Sequence, residues 1–203
     1  MIEATNISKC FNNHEIFKSL NVNIEENSLT IITGESGKGK TTLLNLLSLI
    51  ERPDSGTVKV DNIVNPTPRN IVKLRRYTIS YLFQNYRLMD DYTVEKNLNT
   101  SLVYRKNTRL SISEALTKVG LAGYEKRLVY ELSGGEQQRV ALARILLKDT
   151  KYIFADEPTG NLDRGNRDKV MKLLRSLADE GKGVILATHD LDLLTYADQH
   201  IDL

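Results

Sequence analysis

The sequence contains little of what several classes of protein depend on. It has one cysteine, Cys10, in 203 residues, which excludes a disulfide framework and a zinc site built from cysteines. No run approaches 18 apolar residues, and the N-terminus lacks the basic-then-apolar pattern of a secretion signal. The net charge of +2 is too small to indicate nucleic acid or an acidic membrane as a partner. We therefore expect a cytoplasmic protein that relies on another chain if it works at a membrane.

The composition that remains is that of a folded domain. Apolar residues make up 40% of the chain and charged residues 27%, which excludes disordered and fibrous classes. A length of 203 residues suits one α/β domain, with or without a small insertion.

The hydrophobic pattern predicts alternating strands and helices. Short apolar runs at 29–33, 79–83, 152–155 and 184–187 have the length of strands, and longer helical patterns separate them. This alternation favours a mainly parallel sheet. The runs at 152–155 and 184–187 have no polar alternation, which is typical of strands buried on both faces. The segment 39–50 is apolar nearly all round and predicts a buried helix.

Two other segments carry helix signals. From about 85 to 131 the strand signal fades, and Ser111 with Glu114 spells a capping box. We interpret this region as a helical insertion. Further along, Asp163 can cap a helix that stops at Gly181.

A glycine-rich loop, GESGKGKT at 34–41, lies between a predicted strand and a predicted helix. It fits the phosphate-binding pattern G-x-x-x-x-G-K-[ST], in which glycines let backbone N–H groups turn towards phosphates. We expect Lys40 to reach the β- and γ-phosphates and Thr41 to offer its hydroxyl to Mg²⁺. A glycine-rich turn with a surface lysine is the alternative, and the flanking strand and helix disfavour it. The predicted nucleotide-binding residues of this loop are Gly34, Glu35, Ser36, Gly37, Lys38, Gly39, Lys40, Thr41 and Thr42.

Two acidic residues, Asp156 and Glu157, end the apolar strand at 152–155. The carboxyl end of a buried parallel strand is where α/β folds place ligand chemistry. We expect Asp156 to hold Mg²⁺, directly or through water, and Glu157 to polarise the water that attacks the γ-phosphate. Alone, such a pair commonly marks a strand that meets solvent, and the phosphate-binding loop upstream favours the catalytic interpretation.

A second candidate anion site begins at Ser133. Ser133 and Glu136 form a capping box, and the residues that follow are helical. Ser133, Gly134 and Gly135 therefore lie at a helix N-terminus, where backbone N–H groups can bind an anion. On physical grounds alone, a well-capped helix that binds nothing is an equal alternative.

The string LSGGEQQR at 132–139, with the loop upstream and the acidic strand just after it, resembles the signature of ATP-binding cassette (ABC) ATPases. The resemblance covers essentially the whole chain and implies one ABC ATPase domain over 1–203. The implied fold is α/β: a P-loop NTPase core with a mainly parallel sheet, an N-terminal antiparallel β subdomain and an α-helical subdomain inserted at about 85–135. The implied ligands are ATP and Mg²⁺, and the implied activity is hydrolysis of ATP coupled to transport.

The resemblance also assigns roles to individual residues. Gln84 is similar to a glutamine that senses Mg²⁺ and the attacking water, so it joins Thr41 and Asp156 as a predicted metal ligand. His189 resembles the histidine that touches the γ-phosphate. The predicted catalytic residues are Glu157, His189, Gln84 and Lys40.

Two assignments keep alternatives open. Phe11 lies where the family has an aromatic residue that stacks on adenine, although Phe17 could be confused with it. Asp163 lies in a segment that contacts the partner subunit, with helix capping as the simpler role.

The resemblance implies two kinds of partner and no nucleic acid. A head-to-tail homodimer forms in the ATP-bound state, with each ATP held by one P-loop and by the other subunit's Ser133, Gly134, Gly135 and Glu136. A separate integral-membrane permease carries the chain on the inner face of the membrane. We expect it to dock near Gln84 and a tyrosine-rich segment, whose tyrosines are Tyr77, Tyr81, Tyr86, Tyr92 and Tyr104.

A finer resemblance concerns the transported compound. Residues 133–144 and 156–163 are similar to an exporter branch of macrolide-efflux, lipoprotein-release and cell-division ATPases. The short chain and residues 83–95 are most similar to small lactococcin-type ATPases, which implies export of a bacteriocin, antimicrobial peptide or similar amphipathic compound. The alternative is a non-transport membrane complex that transmits mechanical work to cell-wall hydrolases. A soluble ATPase of DNA repair or the ribosome fits poorly, because only 93 positions separate Lys40 from Ser133 and leave no room for a long coiled coil.

Overall fold

The strands form two sheets of different kinds. The computed structural model describes residues 1–12, 14–103, 110–160 and 162–203. The antiparallel sheet has the strand order β2-β1-β4-β5. Its strands are β1 (Ile2–Phe11), β2 (His14–Ile24), β4 (Ser55–Val60) and β5 (Ile63–Val64).

The second sheet is parallel throughout its described strands, with the order β6-β7-β8-β3-β9. Its strands are β3 (Leu29–Thr33), β6 (Ile79–Leu82), β7 (Tyr152–Asp156), β8 (Gly183–Ala187) and β9 (Gln199–Asp202). The four apolar runs of the sequence thus form four of these strands. The fold class is confirmed: a parallel core sheet is accompanied by an antiparallel sheet.

Six α-helices are described. They are α1 (Lys40–Leu47), α2 (Pro68–Tyr77), α3 (Val94–Leu102), α4 (Ile112–Lys118), α5 (Gly134–Lys148) and α6 (Arg164–Asp179). Helix α1 ends before the predicted boundary, because Leu49 adopts a left-handed backbone with φ of 63°. Helix α6 follows the prediction: Asp163 caps it, and Gly181 lies just beyond its end with φ of 98°. Within the described part of the chain, every helix is too short or too polar to cross a bilayer.

Helices and turns occupy the described residues between 85 and 135. Helices α3 and α4 and a short 3₁₀ helix, Val129–Glu131, precede α5 and pack against it. The capping box of Ser111 and Glu114 is present at the start of α4. The bounds of a helical subdomain at about 85–135 stay a prediction.

Each face of the parallel sheet is covered by its own apolar cluster. Along β7, Ile153 and Ala155 join the cluster that includes α3, α4, α5 and α6. Tyr152 and Phe154 join the other cluster, which includes α1 and the antiparallel sheet. Because both faces of β7 are packed against apolar clusters, its sequence is apolar without a break. The same packing holds the carboxyl edge of the sheet in place from both sides.

Candidate active site

The carboxyl ends of four parallel strands meet at one edge of the sheet. Strand β3 leads into the glycine-rich loop, β6 into Gln84, β7 into Glu157 and β8 into His189. A cavity of about 550 Å³ opens at this edge and contains all four predicted catalytic residues in its wall. Its described lining residues are Ile16, Ser36, Gly37, Gly39, Lys40, Thr41, Thr42, Gln84, Glu157, Gly160 and His189.

The glycine-rich loop has a backbone that only glycine adopts comfortably. Gly39 precedes α1 with φ of 93°, a left-handed conformation that side chains disfavour. A Cβ atom here would also lie 2.5 Å from Ile16 Cγ2 and 2.8 Å from Phe17 Cζ. Phe17 is therefore a core residue that packs under the loop, which separates it from Phe11.

Lys40 and the start of α1 supply positive charge to the cavity. Lys40 Nζ donates to the carbonyl oxygens of Gly34 at 2.7 Å and Glu35 at 2.9 Å, so the ammonium is held across the loop. In the described structure no side chain caps α1, and its first-turn N–H groups are left to other acceptors. Phosphate oxygens are suitable acceptors at such a helix N-terminus.

Thr41 and Asp156 place two oxygen atoms side by side that could both serve as ligands of Mg²⁺. Thr41 Oγ1 donates to Asp156 Oδ1 at 3.0 Å. Burial raises the pKa of Asp156, whose residue is 7% exposed, and the neighbouring Glu157 acts in the same direction. Mg²⁺ is bound by one or two such groups and completes its shell with water and phosphate oxygens. Gln84 lines the same cavity and is exposed, within reach of a ligand bound there.

Glu157 is held by groups from the end of β8. Its backbone N–H donates to Ala187 O at 3.0 Å, and its φ is 47°. Its two carboxylate oxygens have separate partners: Oε1 lies 2.9 Å from His189 Nδ1, and Oε2 accepts from Thr188 Oγ1 at 3.3 Å. The carboxylate is thus fixed in the cavity wall, where it can orient a water and accept its proton. Thr188 was not predicted, although its place beside His189 at a strand end was a usable signal.

Phe11 lies outside the cavity wall. Phe11 as a residue is 43% exposed, and Lys9 Nζ lies 5.1 Å from the centroid of its ring. An exposed ring at the end of β1 is available for stacking, and its contact with adenine stays a prediction.

The structure does not bring the Ser133 segment to this cavity. None of Ser133, Gly134, Gly135 and Glu136 is among the described residues that line it. Ser133 caps α5 in a capping box: Glu136 N donates to Ser133 Oγ at 3.3 Å, and Ser133 N donates to Glu136 Oε2 at 2.8 Å. One copy of the chain therefore holds two separate candidate anion sites.

Asp163 acts as a helix cap in the structure. Its Oδ1 accepts from Asn166 N at 3.1 Å, and this hydrogen bond lowers the pKa of the Asp163 carboxyl. The capping role is confirmed, and a contact with a partner subunit stays a prediction.

Comparison with known sequences identifies relatives along the whole chain. The family described as "ABC transporter" matches residues 17–160. The macrolide export ATP-binding/permease protein MacB of Neisseria gonorrhoeae is 36% identical over 213 residues, covering 100% of this chain and 33% of MacB. The chain thus spans about a third of the length of the MacB relatives. YvrO of Bacillus subtilis, an uncharacterized ABC transporter ATP-binding protein, is 35% identical, covering 99% of this chain and 92% of YvrO.

Solved structures agree with these relatives. The dimeric bacterial ABC transporter cassette MJ0796 superposes with a TM-score of 0.91 at 33% identity, covering 100% of this chain and 94% of that one. A dimer of MJ0796 in a post-hydrolysis state, bound to ADP and Pi, gives a TM-score of 0.90 at 32% identity, with the same coverage.

Proposed function

This chain belongs to the ABC transporter family as an ATP-binding domain, and from that premise we propose that it hydrolyses ATP to drive a separate membrane permease. One observation carries the proposal: the phosphate-binding loop, Glu157 and His189 border one cavity at the edge of the parallel sheet, and Asp156 is hydrogen-bonded to Thr41 of its wall. The relatives are named as transport proteins, which favours a transporter over a complex that drives cell-wall hydrolases.

Hydrolysis at this site would depend on positioning and charge. Lys40 and the N–H groups of the loop hold the β- and γ-phosphates. Mg²⁺, held by Thr41 and Asp156, would neutralise phosphate charge. Glu157 orients the attacking water and takes its proton, while His189 and Gln84 contact the γ-phosphate end of the cavity.

The second anion site leads to a proposed head-to-tail dimer. Ser133 and Gly134 are exposed at the N-terminus of α5, away from the cavity of their own chain. A second copy can bring this helix end to the γ-phosphate, so ATP holds the two copies together and hydrolysis weakens the contact. The dimeric structures of MJ0796 support this arrangement.

A test of this function is the substitution Glu157→Gln. It keeps the shape of the side chain and removes the base, so we expect kcat for ATP to fall by about 100- to 1,000-fold. ATP should still bind, and the variant should accumulate as a dimer in light scattering. Glu180→Gln, an exposed residue directly after α6, is the matched control and should behave as wild type. Full turnover by Glu157→Gln would contradict the role of Glu157.

We propose that the permease docks in a groove on the other side of β6. The groove has a volume of about 470 Å³ and is bordered by α2, α3 and α5. Tyr81 and Phe83 contribute aromatic surface to its wall. Of the tyrosines expected at the permease surface, Tyr81 lines the groove, Tyr77, Tyr86 and Tyr92 are not among its described lining residues, and Tyr104 lies outside the described residues. Docking at the whole tyrosine-rich segment stays a prediction, and the groove shares Tyr81 with it.

The charge of the groove indicates the chemistry of its occupant. Five cationic residues line it and no carboxylate is among its described lining residues: Arg75, Arg76, Arg87, Arg144 and Lys148. Arg144 and Lys148 are half-buried, and both donate to backbone carbonyl oxygens. Burial lowers the pKa of Lys148 to about 8, helped by the charges of Arg75 and Arg144. We therefore propose an amphipathic permease helix that carries at least one carboxylate as the occupant.

The transported compound is the finest part of the proposal. We propose export of an amphipathic compound, such as a bacteriocin or another antimicrobial peptide. Two kinds of support exist: the resemblance of residues 83–95 and 133–144 to exporter ATPases, and the similarity to proteins named for macrolide export.

A further inference from the structure

An ion pair joins α6 to the loop that carries His189. Arg167, in the first turn of α6, donates from Nη1 to Asp190 Oδ2 at 2.7 Å. Asp190 directly follows His189 and caps the 3₁₀ helix Leu191–Tyr196, because its Oδ1 accepts from Asp192 N at 3.0 Å. Arg167 thus contacts the residue that caps the 3₁₀ helix on the far side of the loop.

The same loop holds the carboxylate of Glu157. Asp190 N donates to Thr188 Oγ1 at 3.1 Å, and Thr188 Oγ1 donates to Glu157 Oε2 at 3.3 Å. His189 Nδ1 lies 2.9 Å from the other oxygen of Glu157. A continuous set of contacts therefore runs from the guanidinium of Arg167, through Asp190, to both oxygens of the predicted base.

The position of the Arg167 side chain is set by this pair. The side chains of Arg167 and Asp190 are only 20% and 27% exposed, so water screens the charges less than at an open surface. Arg167 Nε is buried and, among the described residues, has no acceptor within hydrogen-bond distance, with Asp168 Oδ1 3.7 Å away. Arg167 Nη1 also lies 3.8 Å from Asp192 Oδ2, so the 2.7 Å contact with Asp190 is the shortest ion pair that the described residues form with this guanidinium, and the one that is also a hydrogen bond.

We propose that Arg167 is a positioning residue for ATP hydrolysis, which rests on the function proposed above. It holds Asp190 and, through it, the loop of Thr188 and His189, so that the Glu157 carboxylate keeps the orientation in which it accepts a proton from water. Without this pair the loop gains freedom, and the carboxylate spends less time in that orientation. Binding of ATP, which depends on the loop at 34–41, is not affected.

The test compares two arginines of the same helix. Arg167→Ala should lower kcat for ATP by about tenfold with KM changed less than about twofold, because the lost interaction acts on the chemical step. Arg167→Lys retains a charge near Asp190 and should recover part of kcat. Arg175→Ala is the matched control: Arg175 pairs with Asp179 and Asp198, away from the cavity, and its kcat should match wild type.

A second measurement does not depend on turnover. In Arg167→Ala, the backbone amides of residues 188–192 should exchange hydrogen faster than in wild type, and in Arg175→Ala they should not. The inference is overturned if Arg167→Ala keeps kcat and exchange at wild-type values, or if Arg175→Ala loses as much kcat. A wild-type chain without ATPase activity would instead contradict the proposed function, and hydrogen exchange would then report separately whether Arg167 orders the loop at 188–192.

Discussion

Two helix N-termini of this protein, those of α1 and α5, differ in how much of an anion site each completes within one chain. Helix α1 starts after a glycine with no side-chain cap, and its first residues, Lys40 and Thr41, face a cavity built from four strand ends. Helix α5 starts with a full capping box, and its glycines are outside that cavity. The strand ends of the parallel sheet surround the N-terminus of α1 and complete an anion site there. At the N-terminus of α5, the described residues of the same chain do not form such a cavity, so a second molecule is needed to complete a site.

We expect the largest effect on ATP hydrolysis when the N-termini of α1 and α5 are each inactivated in a separate variant. Lys40→Ala removes the phosphate ligand, and Gly134→Asp places a negative charge at the start of α5. Among the described atoms, a Cβ at Gly134 meets only Tyr86 Oη, at 3.9 Å, so Gly134→Asp should fold normally. Each variant alone should lose ATP hydrolysis. In Gly134→Asp the reason is repulsion between the new carboxylate and the γ-phosphate that the start of α5 is proposed to bind.

Mixing the two variants sharpens the comparison. In a head-to-tail dimer, a mixed pair keeps one intact site, so an equimolar mixture should recover up to about a quarter of wild-type activity for random pairing. A mixture of Lys40→Ala with Glu157→Gln is the control and should stay inactive, because both sites of each mixed dimer are then damaged. Absence of recovery in the first mixture would contradict the shared site.

The next effect concerns the glycines before α1. Gly39→Ala combines a left-handed backbone with a clash against Ile16 and Phe17, so we expect it to lower the free energy of unfolding by about 2–4 kcal/mol. Gly37 has φ of 84°, but a Cβ added there would meet no described atom within 4 Å, so Gly37→Ala should lose only about 1 kcal/mol. Denaturant unfolding measures both. Equal losses would mean that backbone strain alone, and not packing under the loop, makes Gly39 necessary.

The smallest effect is at the other end of α5, in the basic groove. The pKa of Lys148 is lowered to about 8 from 10.5, so between these pH values the unfolded chain binds more protons and the free energy of unfolding rises with pH. Lys148→Met should lack this rise and, after allowance for solvent screening and lost hydrogen bonds, be more stable at pH 7 by about 1 kcal/mol. Unfolding curves at pH 7 and pH 10 measure the difference.

The same variant should bind the permease less well, because the proposed carboxylate loses its partner. Co-purification with the permease measures this, and Lys172→Met, on the exposed face of α6, is the control. Unchanged co-purification would exclude Lys148 from the docking surface, and an unchanged pH slope would contradict the burial of its charge.

Prediction from sequence succeeded where the pattern is local. The buried strands and the caps at Ser111, Ser133 and Asp163 each depend on residues within a few positions of one another. Strand β9 was missed because its polar sequence, QHID, acquires strand structure only by pairing with β3. The helix at 39–50 was overextended, because apolar periodicity does not register the left-handed turn at Leu49.

The candidate site was predictable as a set of residues and not as an arrangement. Motifs singled out Lys40, Thr41, Asp156 and Glu157, and the family resemblance added His189. The partners that orient them were not found, since Thr188 and the pair of Arg167 with Asp190 belong to no short pattern. The expectation that the N-terminus of α5 at Ser133 lies away from the cavity of its own chain came from the family resemblance. Spacing along the chain could not provide it, because it does not report distance in space.

The sequence by itself determined which segments are strands, which helices are capped and which loop can turn its N–H groups towards phosphate, because neighbours along the chain decide these features. Only the tertiary structure decided that Thr41 lies 3.0 Å from Asp156, 115 positions away. That contact depends on the strand order β6-β7-β8-β3-β9 and on parallel pairing, which brings the carboxyl ends to one edge. Strand order results from packing both faces of the sheet at once, and no local stretch of sequence contains that information.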